Sequence, residues 1–173
     1  MPIHLSHEKL YQMLLEHDTY NSSEGKNGEL LNLSGYIIEN FDFSGRDLSE
    51  INARMSIFLE CKFICCDLYH SYFNNSSLIK ADFRNSTLSK AELNEIDATD
   101  ACFDSAKISS AEFMDSNLRQ ATFRHADLYD AIISDCDLTN TIFDDADVTG
   151  AAISDNQEDN TSWKNVKGRN IKP

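Results

Sequence analysis

The chain has 173 residues, enough for one domain with a packed core, and carries 29 Asp and Glu against 15 Lys and Arg. That balance argues against direct binding of nucleic acid or an anionic membrane, because both need a basic surface. No stretch approaches the roughly 18 apolar residues of a membrane span, and the opening MPIHLSHEKL lacks the basic-then-apolar pattern of a signal peptide. The five cysteines are odd in number and show no paired spacing, which points to a reduced, cytoplasmic protein.

Residues 1–30 form the first unit. A helix is expected over residues 7–19, with Ser6 as its N-cap and Leu10, Met13, Leu14 and His17 on one face. Residues 20–29, YNSSEGKNGE, read as a linker turn.

Residues 31–155 are a repeat. Every fifth residue from Leu33 to Ile153 is Leu, Ile, Phe or Val at 23 of 25 positions, the exceptions being Ala53 and Ala98. The residue two before each centre is Ala, Ser, Cys or Thr from Ser56 to Ala151, except Ile96. Helices repeat near 3.6 and strands at 2, so neither gives a strict 5. The exceptions compensate each other: Ile96 accompanies Ala98, and Ile51 accompanies Ala53. A close-packed interior demands such exchanges, so both positions point inward.

A second period lies on the first. Phe43, Phe63, Phe83, Phe103, Phe123 and Phe143 recur at every fourth pentapeptide, followed by Leu48, Leu68, Leu88, Ile108, Leu128 and Val148. Four pentapeptides per coil make the phenylalanines one interior column. At the β spacing of roughly 4.8 Å, about six coils give a rod about 30 Å long.

The runs Ala81-Asp82-Phe83, Ala126-Asp127-Leu128 and Ala146-Asp147-Val148 resemble the A-[DN]-[LF]-x-x pattern of the pentapeptide-repeat family. The resemblance implies an all-β solenoid, a right-handed quadrilateral β-helix, here with an N-terminal α-helical cap. An open solenoid exposes β edges unless its ends are closed. The first coil places Leu31, Tyr36, Phe41 and Arg46 where later coils have small residues, so these side chains are expected to meet the helix.

Residues 156–173 are the last unit. Glu158 breaks the pattern, but Trp163 falls in register four pentapeptides after Phe143 and is expected to close the phenylalanine column. The tail beyond is basic, with Lys164, Lys167, Arg169 and Lys172.

Catalytic and metal sites are not expected, and neither is a cofactor. Cys61, Cys66 and Cys136 sit at small inward positions and read as buried filler. Cys-x-x-Cys and Cys/His zinc spacings are absent, and His70 and His125 fall outside on different sides. Asp42, Asp47, Asp67, Asp82, Asp97, Asp127, Asp137 and Asp147 precede a centre, where Asx side chains bond nearby backbone.

Two surfaces are candidates for a partner. The side centred on Leu93, Phe113, Ile133 and Ile153 carries Glu92, Glu95, Glu112, Asp115, Asp135 and Asp155, with no basic residue in those four pentapeptides. Stacked like charges cost stability, so binding is a reason to keep them. The side centred on Ile38, Phe58 and Leu78 turns Ile37, Ile57, Leu59 and Ile79 outward as an apolar patch, unless the helix folds over them. Tyr69 and Tyr72 are expected to extend that patch.

The leading reading is a non-enzymatic protein-binding module that uses one side of the rod, because a rod has columns and no cleft. Two alternatives stand beside it: a DNA mimic that protects gyrase or topoisomerase, as in the quinolone-resistance branch of the family, and an immunity-type neutraliser of a toxin. Residues 31–155 hold 22 acids and 9 bases, a net of 22 − 9 = 13 negative charges. Over the rod that is about one per 2.3 Å, against about one per 1.7 Å in duplex DNA. Against the mimic, Arg84, Lys90, Arg119 and Arg124 interrupt three of the four sides, and the tail is polar and basic.

Overall fold

The computed structural model describes residues 2–168. Four parallel ladders run along residues 31–168, each linking positions four pentapeptides apart. One runs Asn32–Asn52–Tyr72–Glu92–Glu112, a second Ile37–Ile57–Ser77–Asp97–Asn117, a third Asp42–Lys62–Asp82–Cys102–Thr122 and a fourth Asp47–Asp67–Thr87–Lys107–Asp127. Each ladder is one side of a square rod, here numbered one to four in that order; "above" means toward the N-terminus. Longer pairings appear as β2 (Tyr36–Glu39) with β3 (Ile57–Leu59) on side two. On side one they appear as β4 (Glu112–Met114), β5 (Ile132–Ser134) and β6 (Ala152–Ser154).

Backbone hydrogen bonding explains the five-residue period. Take residues 81–85. Asp82 N–H donates to the Cys61 carbonyl in the coil above, while Phe83 and Asn85 donate to Cys102 and Asp104 below. Ala81 N–H closes the corner onto the Leu78 carbonyl. That leaves Arg84 N–H, which donates to the Asp82 carboxylate at 3.1 Å. All five donors are satisfied, as a buried backbone requires. The aspartate before the centre therefore satisfies the one amide that the ladders leave over. Asp42, Asp47, Asp67, Asp97, Asp127, Asp137 and Asp147 accept in the same way from the residue two further on. At two positions that are not Asx the side chain one coil above substitutes, as Arg124 N–H donates to Asp104 and Met114 N–H to Asn94.

Every corner residue is left-handed, with φ between 52° and 62° at the non-glycine corners from Asn40 to Asn165. Such a turn at the end of every pentapeptide keeps the extended stretch on each side short. Met55, Cys65, His70 and Lys80 accept the strain as well as Asn and Asp do. Their N–H groups are held by the coil below, as Met55 N–H is by the Asn74 carbonyl.

From Ile51 to Val148 the centre and the residue two before it are buried. Ile51 with Ala53, and Ile96 with Ala98, are all inside. Small polar groups at the second position donate to a centre carbonyl in the coil above: Ser56 to Leu33, Ser76 to Ala53, Thr141 to Leu118. Ser71 is the buried hydroxyl left without a partner among the described residues.

Phe43, Phe63, Phe83, Phe103, Phe123 and Phe143 stack along the axis with centroids 4.7–4.9 Å apart and planes within 8°. That spacing equals the distance between hydrogen-bonded strands, so ring stacking and backbone pairing share one repeat. Trp163 continues the column under Phe143 at 4.1 Å. Phe58, Phe73 and Phe113 meet it edge-on.

The N-terminal segment adds β1 (Ile3–His4) to the top of side two, paired with Tyr36 and Ile37, and then α1 (His7–Ser22). Ser6 accepts from Lys9 N–H as N-cap. The helix runs to Ser22, beyond the expected end at Thr19, because its last turn is held by Ser23 and Gly25 N–H bonding back to Thr19 and Tyr20. Leu10, Leu14 and His17 are buried against the first coil, and Met13 is partly so. Phe41 packs against His7 and Tyr11, and Arg46 pairs with Asp18 at 3.1 Å. Leu31 and Tyr36 belong to the same core cluster. Arg169 and Lys172 of the basic tail lie outside the described residues.

Replacing Phe103 with Ala removes one ring from the middle of the stack and is expected to cost about 3–5 kcal/mol in urea unfolding; a loss under about 1 kcal/mol would contradict this packing.

Candidate partner-binding surfaces

Three positions of each pentapeptide face outward: those before and after the centre, and the corner. Because one coil is four pentapeptides, each position forms a column.

Several acids on the other sides are paired with bases. Lys80 meets Glu60 in the coil above at 3.1 Å, Arg124 meets Asp104 at 3.6 Å and Lys167 meets Asp147 at 2.6 Å. Arg119 reaches Asp137 below at 2.9 Å, and Arg84 clasps both oxygens of Asp82. Lys167, with the Thr149 hydroxyl and N–H, holds the Asp147 carboxyl down at about 2. Burial raises Asp82, but the Arg84 bonds outweigh it and keep that carboxyl below its ordinary value.

The six acids of side one fall into two columns with different surroundings. Glu92 and Glu112 are neighbours on the ladder before the centre and are half-buried. Glu92 is not a free charge. Arg54, two coils above, reaches it at 3.0 Å, and the Asn74 amide donates at 2.7 Å. Arg54 lies outside the four pentapeptides in which the sequence shows no base, and only its length brings it there. Glu112 accepts from the Asn94 amide at 3.3 Å. Glu95, Asp115, Asp135 and Asp155 form the corner column between sides one and two, and all four are exposed. Asn75 donates to Glu95 at 2.7 Å from the top of that column. Among the described residues, Asp115, Asp135 and Asp155 have no ion pair and no side-chain hydrogen bond.

Ile37, Ile57, Leu59 and Ile79 lie together on side two and are half-buried. Contacts of α1 run to Leu31, Phe41 and Asp47 at the end of the rod; β1 is the element beside Ile37. The more exposed apolar groups sit at the edge of this patch, Ile3 at 62% and Met55 at 60%. Neither was legible as surface: a two-residue strand leaves no periodic signal, and methionine is unusual at a left-handed corner. Tyr69 does not extend the patch. It stands on side four, opposite side two, where it joins His70 and, around the corner, Tyr72. Arg54 covers the Tyr72 ring at 4.1 Å.

Nucleophilic chemistry finds little support in the thiols. Burial pushes Cys61, Cys66 and Cys136 up to about 11, and all five cysteines are unpaired. His70 bonds the Tyr72 hydroxyl at 3.2 Å. Among the described residues, no group of three or more His, Cys, Asp or Glu is placed to hold a metal ion, and no helix is long and apolar enough to cross a membrane.

A family model for pentapeptide repeats matches eight copies over residues 66–104, 76–113 and 111–150. The chain belongs to the pentapeptide-repeat family. The right-handed β-helix of that family is the architecture that the four ladders trace. No curated protein matches the chain in sequence. Solved structures that match the chain include the following. HetL, a pentapeptide repeat protein involved in heterocyst differentiation regulation from the cyanobacterium Nostoc sp. strain PCC 7120, is 16% identical, covering 89% of this chain and 92% of its own, at TM-score 0.42. Rfr23 from the cyanobacterium Cyanothece 51142 is 16% identical, covering 89% and 99%, at TM-score 0.41. Trypsin-treated QnrB1, a plasmid-mediated fluoroquinolone resistance protein, is 22% identical, covering 80% and 86%, at TM-score 0.37.

Thiol labelling near pH 8 is expected to modify exposed Cys65 first, with a fast phase that Cys65→Ser removes, while Cys61, Cys66 and Cys136 react only on unfolding. Fast modification of any of those three in the folded protein would contradict the burial described.

Proposed function

We propose that this pentapeptide-repeat protein is a non-enzymatic binding module whose partner is a protein with a basic surface, held along the Glu95–Asp115–Asp135–Asp155 corner. The observation that carries the reading is the contrast between columns: five basic residues are paired with acids on the other sides, while three successive carboxylates of this corner have no partner. Like charges one coil apart oppose folding, so they are retained for something other than stability. A rigid column of carboxylates offers a partner fixed geometry and little ordering cost. The reading includes a rod of about six coils at the β spacing, capped at its first coil by α1. Five unpaired thiols fit a reducing compartment such as the cytoplasm.

The DNA-mimic reading fits less well, because ion pairs neutralise the columns that a mimic of duplex phosphates needs. A gyrase or topoisomerase, like a cognate toxin, is one partner that a basic surface admits. The apolar patch is the second surface of this reading, partly buried by its own sheet.

The test compares binding of a Lys-rich peptide by titration calorimetry across three proteins. The corner variant Asp115→Asn/Asp135→Asn/Asp155→Asn is expected to weaken binding about tenfold or more. A variant with the same charge change elsewhere, Glu50→Gln/Asp100→Asn/Asp130→Asn, is expected to stay within about twofold. Equal losses in both would show that net charge alone binds the peptide, and the corner reading would fall.

A further inference from the structure

The first coil has no coil above it, so its upward backbone groups need other partners. On side two β1 supplies them: Ile3 N–H donates to the Gly35 carbonyl and Leu5 N–H to the Ile37 carbonyl, both at 3.0 Å. Asn32 holds on side one the position that Ile37 holds on side two, immediately before the centre. One coil lower, Asn52 N–H donates to the Leu31 carbonyl at 3.4 Å, and the Asn52 carbonyl accepts from Leu33 N–H at 2.7 Å. The same two groups of Asn32 have no partner among the described residues.

Asn32 lines a cleft of about 250 Å³ between α1 and residues 29–32. That is below the roughly 300–1,000 Å³ of small-molecule sites and suits one or two side chains of a peptide. Lys9, Met13 and Glu16 form the helix wall, on one face of α1. Glu29, Leu30 and Asn32 stand opposite. Glu29 N–H bonds the Glu16 carbonyl at 3.3 Å, so the acids of both walls meet at one end. Lys9 marks the other end, about 10 Å away at roughly 1.5 Å per helical residue. Leu30 is exposed and Met13 partly so. Lys9, Glu16 and Glu29 form no ion pair among the described residues. The cleft thus combines an open strand edge, an apolar middle and opposite charges at its two ends.

We propose that this cleft binds an extended segment of a partner protein as an added strand parallel to side one, with Lys or Arg at its first inward position, an apolar residue at its third and Asp or Glu at its fifth. The segment does on side one what β1 does on side two. Its backbone accepts from the Asn32 N–H and donates to the Asn32 carbonyl, and its apolar side chain lies between Met13 and Leu30. Side one starts at the acidic end and runs toward side two, where β1 leads into the start of α1. A parallel strand therefore carries its basic residue first. Alternate residues of a strand share a face, so positions one, three and five span about 13 Å, and the long Lys and Glu side chains take up the difference from the cleft. Main-chain bonds hold such a strand, and the three inward side chains select it.

The test is an NMR titration of the ¹⁵N-labelled full chain with two capped pentapeptides of one composition, Lys-Thr-Leu-Thr-Glu and Glu-Thr-Leu-Thr-Lys. The first is expected to shift the Asn32, Leu30 and Met13 amides saturably and to slow hydrogen exchange of the Asn32 amide about threefold or more. The reversed peptide is expected to bind about fivefold more weakly or worse. The charge-swapped chain Lys9→Glu/Glu16→Lys/Glu29→Lys is expected to reverse that preference, which a general loss of folding could not do. Equal binding of both peptides to the wild type, no saturable shift at Asn32, or an unreversed preference in the folded swapped chain would overturn the proposal. Shifts confined to Asp115, Asp135 and Asp155 would overturn it too, because they assign the peptide to the acidic corner. So would Asn32 protection that rises with protein concentration before peptide is added, because a second copy then fills the cleft.

Discussion

Hydrogen bonding between coils is the constraint on which the rest depends. In a pentapeptide such as 81–85 three of the five N–H groups reach adjacent coils, one closes the corner, and the last takes an oxygen from a side chain. That accounting fixes the left-handed corner, the acid or amide before the centre and the small residue two before it. It also fixes the four-pentapeptide register, since a carbonyl is met only after four sides have been traversed. The phenylalanine column follows, because rings one coil apart are placed at the strand spacing and stack at 4.7–4.9 Å.

The same register governs the surface. Outward side chains are held one coil apart in fixed files, so several charges meet a counter-charge that the sequence supplies about a full coil away. Lys80 with Glu60 and Lys167 with Asp147 show the paired outcome. Asp115, Asp135 and Asp155 show the unpaired one. A flexible surface would let such carboxylates separate; these are held by corner backbone with φ of 52–58°. The acidic corner is thus a product of the same bonds that build the core.

Much of this was legible in the sequence, because the pentapeptide period and its fourfold multiple are strict and each position has one role. The aromatic column, the Ile51/Ala53 and Ile96/Ala98 exchanges and the turn role of Asp82 all follow from register alone. What was illegible has no register. Arg54 reaches Glu92 through side-chain length, across 38 residues. Tyr69 was misplaced because nearness in sequence hides that side four lies opposite side two. The short strand β1 has no pattern to read. His17 stood out only as one more residue on the buried helix face; its two backbone partners come from strands 14 and 30 residues away.

Register, rather than the amount of core, holds the rod together, and two deletions separate the two. Removing residues 104–123 takes out one full coil and brings Phe143 under Phe103. Removing only residues 104–108 turns every later coil by one side and puts Leu128 there instead. Thermal unfolding should show the shorter chain, lacking the full coil, to be more stable and more cooperative than the one lacking a single pentapeptide. A single-pentapeptide deletion as stable as the full-coil deletion, or more so, would mean that any apolar centre serves on any side, and the register account would be wrong.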